Sequence, residues 1–234
     1  MLETRIPMRW ADLDQLNHVN NVVYVDYAEQ TRAELIRSGE AFDAPVTRVD
    51  VEFRRPLQLS RTPVLVRSRF EGDFTVHDIG PDGIDESFAT VRLGTGPVVP
   101  QEQRGDGPAF DLAVRRSDIG PDGSVTPTRF FEICQESRIL AFSALMPDRR
   151  PGHIVLARVD VHLGEPVRAD VGVLPTSTSV THVGRSSYRT TTWFGGGRYG
   201  AAEAVLVGFD AETQRSRPLG DDEREALESV LVEG

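Results

Sequence analysis

Between Arg9 and Arg32 the chain reads RWADLDQLNHVNNVVYVDYAEQTR, which crowds Asp12, Asp14, His18, Asn20, Asn21 and Tyr24 into one short stretch. A carboxylate and an imidazole close to a helix start form a set able to attack a carbonyl or to activate water against it. Asn20 is a favoured helix N-cap residue, and a helix beginning there leaves its first N–H groups unpaired, with roughly +0.5 charge at that end. Asp14 precedes the cap by six residues, so the chain can bring its carboxylate beside those donors. The expected chemistry is polarisation of a carbonyl by the N–H of Asn21 while Asp14 attacks the carbon or takes a proton from water. The competing expectation is that Asp14 only closes a turn and His18 only hydrogen-bonds locally.

These residues need a turn, a helix and a sheet to hold them. An internal repeat shows how the chain supplies them. Laying Arg9 on Arg115, an offset of 106, also lays Asp12 on Asp118, Val19 on Val125, Tyr24 on Phe130, Glu29 on Gln135 and Arg32 on Arg138. Further on, TRVDVEFRRPL (47–57) overlays ARVDVHLGEPV (157–167) at an offset of 110. Two windows in the same order indicate a duplicated domain, and GTGPVVPQEQRGDGP (94–108) reads as the linker. The expected domains are 1–104, with the polar cluster, and 105–234, in which Gly120 and Ser124 stand where Asp14 and His18 should be. One site per chain follows.

Each copy reads as a short strand (Glu3 to Trp10; Ala109 to Arg116), a polar turn, one helix (20–38; 126–146) and a run of strands. Thr126 is a good cap, Pro127 suits the first helical position, and Pro147 follows the end. VLVRSRF, FATVRL, TSTSVTHV, SYRTTTWF and AAEAVLVGFD supply strands; Glu71 to Ser87 has no clear pattern. Phe130 and Leu145 are expected on the buried side of the second helix. Tyr24, aligned with Phe130, reads as core, and Asp12, repeated as Asp118, as part of a shared turn. The fold class is α+β, with a sheet wrapped around one long helix in each copy.

The cluster resembles the signature of hotdog-fold thioesterases of the 4-hydroxybenzoyl-CoA and acyl-CoA type, Asp-x-x-Gly-His-x-Asn-Asn-x-x-Tyr with a later Glu and Arg. Asp14, His18, Asn20, Asn21, Tyr24, Glu29 and Arg32 stand at those places. It is also similar to plant acyl-ACP thioesterases, which carry such a string on tandem hotdog domains. Two positions depart: Asn17 replaces the glycine, although asparagine tolerates a left-handed backbone, and Leu16 replaces an asparagine of the plant motif. The resemblance implies a double hotdog forming an intramolecular pseudo-dimer with its site between the halves, and further homo-oligomerisation is left open. It implies an acyl-CoA or acyl-ACP thioesterase, with Asp14, Asn21, His18 and the helix glutamate Glu29 as catalytic candidates and Asn17 and Tyr24 lining the substrate site. Glu29 also has the spacing of an ordinary helix ion pair with Arg32. Arg54 and Arg55 are candidates to meet the phosphates of coenzyme A, which enters as part of the substrate; no other cofactor is expected.

Composition narrows the alternatives. The chain has 234 residues, 39% hydrophobic and 26% charged, and lacks an apolar run of the roughly 18 residues a membrane span needs. Its net charge of −10 opposes nucleic acid and anionic membranes. All basic residues are arginine, the single cysteine, Cys134, can form no internal disulfide, and the N-terminus lacks signal-peptide character. A cytoplasmic protein is expected. His77, His153, His162 and His182 have no metal-ligand spacing, so no metal is expected. Two other functions compete: a non-catalytic acyl-thioester binding protein, and a hotdog enoyl-CoA hydratase. The hydratase motif has a proline and five-residue spacing between Asp and His, whereas Asp14 and His18 are four apart without proline.

Overall fold

The computed structural model describes residues 2–105, 107–147, 154–210, 212–213 and 215–232; His153 lies outside them. The chain divides into two compact units, Met1–Pro97 and Val98–Gly234.

In the first unit, β1 (Leu2–Ile6) leads through a 3₁₀ turn (Trp10–Asp12) to the helix α1 (Asn21–Arg37), followed by β2 (Arg48–Phe53), β3 (Val64–Glu71), β4 (Phe74–Pro81) and β5 (Ala89–Gly94). The strands pair antiparallel in the order β1-β3-β4-β5-β2. α1 starts where Asn20 accepts from the Val22 N–H at 3.0 Å. It stops because Gly39 takes a left-handed φ of +78°, letting the N–H groups of Gly39 and Glu40 reach the carbonyls of Ile36 and Leu35. Val22, Val25, Ala28 and Leu35 are buried at helical spacing, and α1 packs on β3, β4 and β5. The unparsed stretch from Glu71 contains β4, joined to β3 through a hairpin at Gly72–Asp73.

The second unit repeats this plan. β6 (Ala109–Ala113), a 3₁₀ turn (Arg116–Asp118), α2 (Pro127–Leu145), β7 (Ile154–Leu163), β8 (Val173–Val183), β9 (Ser187–Phe194) and β10 (Gly200–Asp210) follow in turn. Their antiparallel order, β6-β8-β9-β10-β7, is that of the first unit strand for strand. Both helices lie within a residue of the expected limits, because caps fix helix ends locally. On α2, Phe130 is buried against the edge of Phe194 at 4.9 Å between ring centres. Leu145, expected to be buried, is only half so, since the chain turns there and buries Met146 instead.

A small strand, β11 (Arg215–Ser216), and a helix, α3 (Asp221–Glu228), complete the second unit. The signal for α3 is its acidic first turn. Its Glu223 is fully buried, where it accepts both guanidinium nitrogens of Arg217 at 2.7 Å and the N–H of Gly220.

Candidate active site

The opening cluster folds as a tight hairpin ahead of α1. Leu13 bridges Val19, and the Asp14 N–H donates to the His18 carbonyl at 2.8 Å. The tip requires a left-handed residue, and Asn17 supplies it with a φ of +58°, the sole positive φ outside glycine among the described residues. Its counterpart in the second unit is Gly123, at +80°. The hairpin is held to the loop between β2 and β3 by the Val19 N–H, which donates to Leu57 O at 2.8 Å, and by a bridge from His18 to Gln58. Asp12 holds its base, accepting from the Arg9 N–H and the Tyr27 hydroxyl, both at 2.7 Å.

Asp14 is half-buried within this frame. Its Oδ1 accepts the N–H groups of Leu16 at 2.8 Å and His18 at 3.1 Å, which fixes the plane of the carboxylate. Its Oδ2 has no hydrogen-bond partner among the described residues. Burial pushes the Tyr24 hydroxyl up to about 12, against the opposing effect of the Leu57 N–H and with a smaller contribution from the charge of Asp14. At the helix terminus, Asn20 takes the Val22 N–H and its carbonyl takes that of Val23, leaving the N–H of Asn21 without a partner among the described residues. The His18 imidazole is likewise half-buried and unpartnered among them. The arrangement therefore offers a fixed carboxylate with one open oxygen, an open backbone donor at a positive helix end, and an imidazole on the same hairpin.

The other candidates occupy different surroundings. Tyr24 is buried against the edge of Phe53, with its oxygen accepting the Leu57 N–H at 3.1 Å. Glu29 lies two turns along α1, half-buried, while Arg32 donates to the carbonyls of Phe42 and Ala44. Arg54 donates to Thr90 at 2.8 Å and pairs with Glu52 at 2.9 Å; Arg55 pairs with Glu86 at 3.0 Å and lies over the Phe88 ring. Both arginines are thus engaged within their own unit. Gln58 carries no signal of its own in the sequence. Only the 110-residue offset, which lays it on Arg168, singles it out, because Ser124 bridges Arg168 as His18 bridges Gln58.

The second unit builds the same hairpin around different chemistry. The Gly120 N–H donates to Ser124 O at 2.7 Å and the Val125 N–H to Val167 O at 2.8 Å. At the place of Asp14 stands Gly120, and the bracing carboxylate has moved to Asp122, whose two oxygens take the N–H and hydroxyl of Ser124. Those bonds hold the Asp122 carboxyl below its usual range. The loop thus closes without a carboxylate at the Asp14 position.

With this architecture in view, the chain can be set beside known structures. A 12:0-ACP thioesterase from Umbellularia californica superposes with a TM-score of 0.65 at 14% identity, covering 92% of this chain and 97% of that one. The fold is a tandem hotdog. A Lactobacillus plantarum protein assigned as an oleoyl thioesterase gives 0.66 at 12% identity over 89% and 96% of the two chains. An acyl-ACP thioesterase from Bacteroides thetaiotaomicron gives 0.62 at 10% identity over 87% and 96%. In sequence, residues 1–67 match the family model of the acyl-ACP thioesterase C-terminal domain, a match that spans the whole hairpin and α1 of the first hotdog. No curated protein is significantly similar in sequence.

Proposed function

We propose that the protein is a thioesterase that hydrolyses an acyl thioester of ACP or CoA to the free acid and thiol, with one site per chain on the first hotdog. The observation that carries this reading is the pairing at the start of α1 of an Asp14 oxygen without a partner among the described residues and an Asn21 N–H equally open. Asn21 would donate to the carbonyl oxygen as negative charge develops on it. Asp14 would take the proton of a water that attacks the carbonyl carbon, or attack that carbon itself to form an anhydride that a second step, with water, hydrolyses to the free acid; either way the C–S bond breaks and the thiolate leaves. The match of residues 1–67 and the shared fold support this substrate class.

One observation favours a second reading, an acyl-thioester binding protein: Asp14 Oδ1 already braces the hairpin. Asp14→Asn separates the two, because its amide oxygen still accepts both N–H groups while basicity is lost. Thiol release from saturated acyl-CoA and acyl-ACP of graded chain length is expected to fall at least about 10²-fold, with the urea unfolding midpoint nearly unchanged. Turnover within about threefold of the parent would remove Asp14 from the mechanism, and no thiol release from any parent-enzyme substrate would leave the binding protein.

A further inference from the structure

The two sheets also differ on the face turned away from their helices. In the first hotdog that face is closed by its own ion pairs: Arg69 binds Asp78 and Glu71, Asp78 accepts from Thr90, Thr90 accepts from Arg54, and Arg92 meets Glu52. Strand register lays Trp193, Ser179 and Glu203 of the second hotdog on Asp78, Arg69 and Arg92, so the ladder is lost there. The segment ahead of β6 runs across this face as a strap. At one end it touches the turn after β9, where a Cβ on Gly197 would lie 2.2 Å from the Gln101 carbonyl; at the other, a Cβ on Gly105 would lie 2.3 Å from Val232.

Between strap and sheet lies a half-open cavity of about 620 Å³ whose wall includes Arg104, Thr181, His182, Arg189, Trp193 and Glu203. This volume is in the range of small-molecule sites. A bulge between Val180 and His182 inserts Thr181 and sets His182 opposite Arg189, bringing two basic side chains side by side. Among the described residues, the side chains of Arg104, His182, Arg189 and Glu203 have neither ion-pair nor hydrogen-bond partners. Beside them on β8, the fully buried Ser179 hydroxyl is also unpartnered.

We propose that this strapped cavity binds a phosphorylated, hydroxyl-bearing metabolite of nucleotide size, at a site separate from the Asp14 hairpin. Arg104 and Arg189 present planar guanidinium donors suited to phosphate oxygens, and His182 adds a third donor. Glu203 can only accept when ionised, so it selects ligands that also carry hydroxyl or amino donors over a bare anion. Trp193 forms an apolar wall.

Trp193 also gives the readout, since Trp10 is the chain's other tryptophan. In a Trp10→Phe background, ADP is expected to shift the Trp193 emission saturably. Arg189→Gln is expected to weaken ADP binding at least about 10-fold, the scale of a lost charge-assisted contact. Glu203→Gln is expected to weaken ADP but not inorganic phosphate. Thiol release by the Arg189→Gln protein should match that of the parent, so failure here is distinct from failure of the thioesterase reading. The proposal is overturned if ADP produces no saturable shift up to about 1 mM, if Arg189→Gln binds as the parent does, or if phosphate competes as well as ADP and Glu203→Gln changes nothing, which would mean binding of any anion.

Discussion

At the residue scale, Asn17 shows how one position reconciles a departure from the signature it resembles with an unchanged backbone. Its φ of +58° and the +80° of Gly123 are the same turn made by two residue types. A left-handed backbone costs roughly 1–2 kcal/mol for a residue with a Cβ, less for asparagine, and nothing for glycine. Asn17→Gly should therefore leave the urea midpoint unchanged or raised, while Asn17→Ala should destabilise by about 1 kcal/mol. Equal stability of the three proteins would show that the hairpin is not held in this conformation. That Asp14, Asn17 and His18 fall on one hairpin was legible because they lie within five residues of one another. Their division of labour was not, since it depends on which Asp14 oxygen the turn consumes.

At the scale of elements, the helix-facing side of each sheet carries a buried polar pair at matching strand positions. In the first hotdog Ser68 Oγ and His77 Nδ1 are 2.9 Å apart across β3 and β4; in the second, at the same strand positions, Thr178 and Thr192 are 2.8 Å apart. Burial, helped by the nearby Arg32, lowers His77 from 6.5 to about 4. The unfolded chain thus takes up this proton at a higher pH than the folded one. Stability from this group is full above pH 6.5 and is lost as the pH falls toward 4, by up to about 3 kcal/mol. Ser68→Thr with His77→Thr, which copies the second hotdog, should flatten the urea midpoint between those limits relative to the parent; an unchanged pH slope would sink the assignment.

The helices make a second prediction at this scale. Phe130→Ala should cost about 3–5 kcal/mol, because the residue is buried on Phe194. Leu145→Ala should cost nearer 1 kcal/mol, in keeping with partial exposure. Thermal unfolding would order the two, and a reversed order would mean that the buried side of α2 is misassigned.

Across the whole molecule, the same strand order occurs twice, and the two copies of the hairpin carry different chemistry on it. At Gly120 a Cβ would lie 2.8 Å from the Thr126 methyl and 3.3 Å from Asp122. Gly120→Asp is therefore expected to lower stability, and in an Asp14→Asn background it should restore no thiol release, since Ser124 replaces the imidazole and Asp122 already braces the loop. Recovery of activity in that double variant would show that the second hairpin retains a working site.

The sequence by itself determined the elements whose signals are local: the caps at Asn20 and Thr126, the two helices, the alternating strands and the repeat that ties them together. It also determined which hairpin carries Asp14 and His18. Tertiary structure decided the rest, and one hexapeptide shows why. Asp-Ile-Gly-Pro-Asp-Gly occurs twice, at 78–83 and 118–123. In the first occurrence Asp78 to Pro81 end β4, with Asp78 bound to Arg69 and Asp82 accepting from Arg5 at 2.8 Å. In the second, Asp118 ends a 3₁₀ turn and Asp122 braces the hairpin before α2. Six identical residues have identical intrinsic preferences. Their outcome differs because β3 and β5 offer ladder partners to Asp78–Gly80, whereas Ile119 must bridge back to Val125 within its own loop. Burial of His77 and the unpartnered charges beneath the strap have the same origin: both are set by neighbours distant in the chain, whose approach no local pattern records.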